Sequence, residues 1–456
     1  MSRLSNKVLF YYSLADLPVT MSIFPVIVFI PRFYSNDVGI AVATVGTIML
    51  LSRVFDVMTD PLVGYLSDHT RSRWGRRKPW IALSVPVMML SVYQLFLPPE
   101  GAGAGHLLLW SMLLSIGTTL MLIPYYAWGA ELSPDYSERS RITGARSMAG
   151  VLGSFTAQAM PALALLLFGI GGSAAVLEIV GYTMLVIMPL CVAFTLAGTP
   201  DAKVPVRSNL PIMKGIGLMA RNRPFLQLVA AFTVGSIGLN ITTPLYLFFI
   251  ADVLNAEAQA IYMLAFFYMA NLLSVPLWVM LAQRIGKHRA YLVSFVIISG
   301  AHPFYMLLGP GDFWYMLPIT LVTGFAAGGF GAALPNSMKA DVIDLDHLQS
   351  GENRAALFFS SWSFVQKLVA SLGTAIAMFG LALVGFQSGK DNGEEEMLGL
   401  RLLFSTLPSI FYLLAAAIVW SYPITAERHA EIRAALDARE REQAESGALH
   451  DAVKVG

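Results

Sequence analysis

Charge is what this sequence has least of. Only 13% of its 456 residues are Asp, Glu, Lys or Arg, about half the quarter that soluble chains carry, so most of its surface must face something other than water. Thirty basic and 29 acidic residues leave a net charge of +1, which excludes the basic surface needed to hold nucleic acid. The single cysteine, Cys191, cannot close an internal disulfide. No CxxC pair or His/Cys cluster suggests structural zinc. There is no Gly-x-x-x-x-Gly-Lys-Ser/Thr phosphate loop, so ATP does not drive the protein directly. Outside one helix face no acid/base pair or activated nucleophile is present, so the chain is not expected to be an enzyme or to need a cofactor. The N-terminal run after Lys7 is too long for a secretory leader and lacks a cleavage signal, and reads as a first membrane span.

What is abundant is apolar sequence, 56% of the chain. A span needs about 20 mainly apolar residues. Runs of that length fall near 8–31, 41–66, 80–97, 106–129, 144–170, 174–197, 225–250, 258–282, 290–308, 313–337, 356–385 and 398–422. The connections sort by charge. Those at 98–106, 169–174, 251–259 and 309–312 have no Lys or Arg, whereas 69–78, 200–224 and 283–289 are basic. The positive-inside rule places the basic set, and with it both termini, in the cytoplasm. This alternation requires an even number of spans and supports twelve. The charged segment after Ala426 reads as a cytoplasmic helix with no role beyond solubility.

The two halves repeat. Arg73, Gly75 and Lys78 with Trp80 align with Arg284, Gly286 and Arg289 with Tyr291 at an offset of 211, and Ala130-Glu131 aligns with Ala340-Asp341 at 210. The same loop positions are therefore marked in each half. This parallel repeat is the arrangement of major facilitator transporters. The expected fold is an all-α membrane protein of twelve transmembrane helices in two pseudo-symmetric six-helix bundles: 1–199, a linker at 200–224, 225–425, and a tail at 426–456.

The stretch from Arg53 through Asp56, Thr59, Asp60, Pro61 and Gly64, then Ser67, Asp68, Arg71, Arg73, Gly75, Arg77, Pro79 and Trp80, resembles the signature of the glycoside–pentoside–hexuronide:cation symporters, the melibiose permease type. Glu131 through Arg141 and Arg146, and Asp341-Asp344 leading to Gly351 and Arg354, are similar to further segments of that family. The resemblance covers essentially the whole chain. It implies the major facilitator fold and uptake of a solute coupled to Na⁺, H⁺ or Li⁺.

Ionisable groups inside a span are costly and default to function. Arg53, Asp56 and Asp60 stand at i, i+3 and i+7, one helix face, and Thr59 can add a hydroxyl. Two carboxylates against one guanidinium leave about one negative charge, which suits one monovalent cation or one proton. The resemblance implies that the cation, with Na⁺ a candidate at Asp56 and Asp60, is held by Asp56, Asp60, Thr59 and Thr119. The family's adjacent asparagine is threonine here, which leaves Na⁺ and H⁺ both open. The repeat mates of Asp56 and Asp60 are Phe267 and Asn271, so one cation site is expected.

Candidate solute ligands are Tyr12 and Asp16 on span one, Tyr125 and Tyr126 on span four, Arg146 on span five and Lys367 on span eleven. The resemblance puts Tyr126 where the family stacks a sugar on tryptophan, and Arg146 and Lys367 in its sugar and coupling region. The acids that hold galactosyl hydroxyls are replaced by Pro18 and Leu122, and a span-ten tryptophan by Ala332. Substrate chemistry has therefore diverged while the cation face is retained. A sugar or glycoside is the expected solute; a lysophospholipid or other amphiphile carried with Na⁺ is the alternative. Asp68, Arg77, Glu131, Arg139, Arg141, Asp341 and Arg354 are expected to form cytoplasmic gate pairs. The partners expected are the bilayer and a small solute, the chain being monomeric and sited in a bacterial inner membrane.

Overall fold

The computed structural model describes residues 4–133, 136–201, 222–351 and 355–439. Among them, twelve helical segments are long and apolar enough to cross a membrane. They are α1 (Asn6–Val28), α2 (Val42–His69), α3 (Lys78–Phe96), α4 (Ala104–Glu131), α5 (Arg141–Phe168), α6 (Ser173–Gly198), α7 (Arg223–Val253), α8 (Glu257–Ile285), α9 (Lys287–Leu307), α10 (Phe313–Ser350), α11 (Ser361–Leu383) and α12 (Glu394–Trp420). Helices dominate because a lipid-facing backbone must satisfy every N–H and C=O within its own segment. Prolines inside α1, α2, α3 and α4, at Pro25, Pro61, Pro86 and Pro124, are tolerated where neighbouring helices cover the freed groups. Large apolar side chains such as Met58, Phe168, Leu307 and Leu383 are exposed, as a lipid-facing surface requires.

The expected spans overlap these helices one for one, several running a few residues past a helix end, with one extension of consequence. The tenth run, expected to end near 337, continues as helix to Ser350 and carries Asp341 and Asp344 beyond the apolar stretch. The polar residues there lower hydropathy but not helix propensity, so the apolar run and the helix end at different places.

α1 is interrupted at Leu14–Ala15, and Asp16 stands in the first turn of its second segment (Asp16–Val28), where a carboxylate complements the helix dipole. The same helix packs very closely on α5: a Cβ at Gly153 would come within 2.1 Å of the Leu17 carbonyl oxygen. Small residues at such crossings let membrane helices approach.

An even number of spans puts both ends of the bundle on one face, here the terminal face; the opposite one is the far face. Across the two halves α2 packs on α11, α5 on α8 and α1 on α7. The first two pairs exchange under the repeat. One apolar cluster runs through the first half and on to residues near the far face of the second, including Phe248, Phe249 and Phe404. A separate cluster, with Phe225, Trp278, Tyr291 and Tyr422, fills the terminal-face end of the second half. The halves thus share a core toward the far face and have separate cores toward the terminal face.

Beyond α12, residues 426–439 form a further helix, α13. It is not merely solvated: Ile432 and Leu436 are each 2% exposed. His429 Nε2 lies 3.1 Å from Asp344 and 3.3 Å from Asp341, and Arg433 lies 3.6 Å from Asp344. The charge pattern of this segment hid a buried pair at i, i+4, which is the spacing of one helix face.

Candidate functional site

Asp56 and Asp60 project from the middle of α2 as their i, i+4 spacing requires. Thr119 of α4 donates its hydroxyl toward both, at 2.8 Å from Asp56 Oδ1 and 3.0 Å from Asp60 Oδ1. One hydroxyl hydrogen can serve only one acceptor at a time, so Thr119 acts as a clip across the pair. The countercharge differs from the expectation. Lys367 of α11 places its Nζ 3.3 Å from Asp56 Oδ2 and in direct contact with Asp60 Oδ2. Arg53 lines the same cavity, but among the described residues the ion-pair partner of both acids is Lys367. Lys367, expected among the solute ligands, therefore sits on the acid pair and joins the two halves. Thr59 turns its hydroxyl along its own helix, donating to the Asp56 carbonyl at 3.1 Å, and the bridging oxygen is that of Thr119. Two carboxylates and one ammonium leave about one negative charge.

These groups open on a cavity of about 710 Å³ between α1, α2, α4 and α11. Its oxygens include Ser52, Ser115 and Thr118, which the sequence reading did not single out; their signal is a hydroxyl at helical spacing facing the acids. Much of the wall is apolar, with Ile23, Ile27, Leu114 and Leu122. Leu122 occupies the position where an acid was expected in galactoside carriers, and the wall there is hydrocarbon.

The remaining candidates divide. Tyr12 and Tyr125 are both 0% exposed. Their rings stack at 4.6 Å and each phenol donates to the other's carbonyl, at 3.0 and 2.6 Å. They lock α1 to α4 and offer no free face. Tyr126 is 41% exposed and carries the Arg146 guanidinium over its ring at 3.8 Å, a cation–π contact. Asp16 is buried, with Oδ1 lacking a hydrogen-bond partner, and Arg146 lies within electrostatic reach of it. Asp16, Tyr126 and Arg146 thus form one polar cluster. The Ala332 side chain lies outside the described residues.

At the terminal face, Arg77 binds Glu131 at 2.6 Å, Asp68 at 2.5 Å and Ser67 at 2.8 Å. Burial works against its charge, but Glu131 and Asp68 more than offset this and hold its pKa above the usual guanidinium value. Arg76 also reaches Glu131, at 3.2 Å. The second half repeats the device: Lys287, the mate of Arg76, binds Asp341 at 2.6 Å. Gly75 and its mate Gly286 both have left-handed φ, +87° and +90°, so the repeat seen in the letters is a repeat in backbone shape. Arg141 pairs with Glu138 at 2.6 Å and with Asn6 at 2.8 Å rather than with Glu131. The Arg139 side chain and Arg354 lie outside the described residues. All of these ion pairs lie within one half.

Besides Lys367 with Asp56 and Asp60, the described pairs that cross between halves lie at the far face, and they were missed. Arg32, just after α1 and 4% exposed, binds Asp252 at the end of α7 at 2.5 Å and Glu257 at the start of α8 at 3.3 Å. Glu257 also accepts from the Ser173 backbone N–H at 3.2 Å and from its hydroxyl. α1 and α6 of the first half are thereby latched to α7 and α8 of the second. Nothing local marks these residues, because loop charges acquire partners only through the fold.

Known proteins agree with this fold. A family model described as MFS/sugar transport protein matches residues 11–426. The mouse (Mus musculus) "Sodium-dependent lysophosphatidylcholine symporter 1" is 27% identical over 443 residues, covering 88% of this chain and 82% of that protein. The Escherichia coli (strain K12) "Glucuronide carrier protein homolog" is 26% identical over 461 residues and covers 97% of each. Among solved structures, the nucleoside transporter NupG superposes with a TM-score of 0.65 at 12% identity, covering 92% of this chain and 100% of NupG. This chain belongs to the MFS/sugar transport protein family of multi-pass membrane transporters and is not an enzyme.

Proposed function

We propose that the chain is a secondary active symporter that couples Na⁺ or H⁺ to the movement of a sugar, glycoside or related small organic solute by alternating access. The observation that carries this reading is the Asp56–Asp60–Thr119 cluster with Lys367 of the opposite half resting on it. A static salt bridge has no need of a second carboxylate at this depth, where charge is expensive. Lys367 acts as a tethered stand-in for the cation. An entering cation competes with it for the carboxylates, and the released ammonium carries the signal to α11. Coupling is reciprocal, so the solute strengthens cation binding as the cation strengthens solute binding.

In this reading residues 1–199 and 225–425 are the rocking halves, 200–224 links them, and the chain is a monomer in a bacterial inner membrane with both termini inside. The far-face latch of Arg32, Asp252 and Glu257 closes one entrance. Asp68, Arg77 and Glu131, and Asp341 with Lys287, brace each half at the other entrance. Arg139, Arg141 and Arg354 are assigned to the same terminal-face gate.

A second reading, a Na⁺-dependent carrier of lysophospholipid, is favoured by the apolar wall around Leu122. Uptake into proteoliposomes under an imposed Na⁺ or pH gradient tests both, with glycosides, sugar acids and lysolipids as solutes. The account predicts gradient-driven accumulation of at least one water-soluble glycoside, abolished by Asp56→Asn. Accumulation of lysolipid alone selects the second reading, and uphill uptake retained in Asp56→Asn rejects the cation site.

A further inference from the structure

The second half holds a separate cavity of about 160 Å³, between α7, α8, α9, α10 and α12. Its polar lining includes Thr242, Thr243, Asn271, His302, Tyr305 and Thr320, and no Asp, Glu, Lys or Arg lines it. We propose that this pocket binds an uncharged, hydroxyl-bearing ring of the solute, a glycosyl unit; the inference rests on the symporter reading and names the part of the solute that the second half holds.

The hydrogen-bonding capacity is arranged for such a ring. Thr242 and Thr243 donate to the carbonyls of Gly238 and Leu239, at 3.0 and 2.8 Å, which leaves acceptor capacity on their oxygens, that of Thr242 shared with the Tyr412 phenol. The Tyr305 phenol lies 3.3 Å from Thr320 and 3.2 Å from Thr323, so these three hydroxyls form a chain that can turn a donor or an acceptor toward a ligand. His302 is 3% exposed; its ring stands against the backbone of Phe404 and Ser405, and its Nδ1 makes no well-formed hydrogen bond. A buried polar atom left unpaired costs free energy, and a ligand hydroxyl would remove that cost. The rings of Tyr268 and Phe404 supply apolar faces in the same lining.

The repeat gives the pocket a second argument. Asn271 is the mate of Asp60, and Phe267, also in the lining, is the mate of Asp56. The helix face that carries two acids in the first half carries a neutral amide and a ring in the second. One half is built for a cation and the other for uncharged hydrogen-bonding groups.

Charge and size narrow the ligand. A phosphocholine or carboxylate group here would be desolvated with no countercharge. A hydrocarbon tail would offer no partner to the Asn271 amide, to His302 Nδ1 or to the remaining acceptor positions of the hydroxyls. An apolar cavity of about 150 Å³ accommodates a benzene ring, so this volume suits one six-membered ring. The pocket also adjoins the Asp56–Asp60 face through an intermediate cavity. It shares Val28, Thr243 and Tyr268 with a neighbouring cavity of about 200 Å³. That cavity shares Thr20, Ile23 and Ile27 with the large cavity that contains Asp56 and Asp60. A solute seated with its ring in this pocket can therefore extend its remainder past α1 toward the cation.

The test uses the purified full-length chain in nanodiscs. The probes are methyl glycosides of common hexoses and pentoses, with methyl glucuronide and lysophosphatidylcholine as charged comparators, and binding is read from concentration-dependent thermal stabilisation. At least one methyl glycoside is expected to stabilise the wild type. Asn271→Leu and the near-isosteric Thr320→Val should each weaken that binding by about tenfold or more, while stabilisation by Na⁺ is unchanged and certifies the fold. Glycoside binding unchanged in both variants overturns the inference, as does stabilisation by the charged comparators alone or by none of the probes. Wild-type symport of a glycoside combined with normal binding in both variants rejects this pocket and leaves the symporter reading standing. Absence of any gradient-driven uptake by the wild type rejects the symporter reading itself.

Discussion

Lys367 decides how the acid pair behaves. With the ammonium seated, the α2 face holds about one net negative charge; with it absent, the face holds two carboxylates about one helical turn apart, and their repulsion favours any cation that enters. Lys367→Ala should therefore tighten Na⁺ binding by about tenfold, a difference of about 1.4 kcal/mol, measured as the Na⁺ dependence of thermal stability. The same variant should lose gradient-driven accumulation, because the cation would no longer displace anything that reaches the second half. Unchanged or weaker Na⁺ binding in Lys367→Ala would reject the competition. Asp56 and Asp60 are legible as a candidate site in the sequence because ionisable residues stand out against an apolar helix. The role of Lys367 is not, since it lies 307 residues from Asp60 and its position depends on how two helices from opposite halves meet. Thr119 is legible only through family resemblance, one threonine among many in apolar spans.

At the scale of elements, the α2–α3 turn shows how a repeat motif becomes structure. Gly75 has φ +87°, and an added Cβ would lie 2.9 Å from the Asp201 carboxylate, which itself pairs with Lys78 at 3.2 Å. Gly75→Ala meets both a left-handed backbone, costing about 1–2 kcal/mol, and a carboxylate that must move. Gly144, helical on α5 with nothing within 4 Å of its Cβ position, gives the opposite sign: Gly144→Ala should stabilise by about 0.5–1 kcal/mol. Side-by-side unfolding midpoints check the pair, and a Gly75→Ala midpoint at or above wild type would contradict the account of this turn. Helix existence was legible almost throughout, because a span needs only length and hydropathy. Helix ends were less so, as α10 shows, and so was the docking of α13 through Ile432 and Leu436, where charge concealed a two-residue apolar face.

For the whole molecule, the balance of contacts between the two faces sets the conformation. Arg32, Asp252 and Glu257 tie the halves at the far face, while the ion pairs of Arg77, Glu131, Lys287 and Asp341 stay within their own halves. On the proposed orientation, with the terminal face in the cytoplasm, this is an arrangement closed to the outside. Twofold architecture was legible from two short matches at offsets of 211 and 210, since the same loop chemistry marks the same turn. The proposed division of labour between halves was only half legible: the absence of acids at Phe267 and Asn271 could be read, but the pocket they line depends on five helices converging. The central claim is that one cation binds at Asp56, Asp60 and Thr119. The most direct measurement is equilibrium binding of radiolabelled Na⁺ to the purified chain, wild type beside Asp60→Asn. The account predicts about one cation per chain at one site, read as saturable Na⁺ binding suppressed by protons or, with H⁺ as the coupling ion, as uptake of one proton, and lost in Asp60→Asn; a cation bound with equal affinity and number by Asp60→Asn would contradict it.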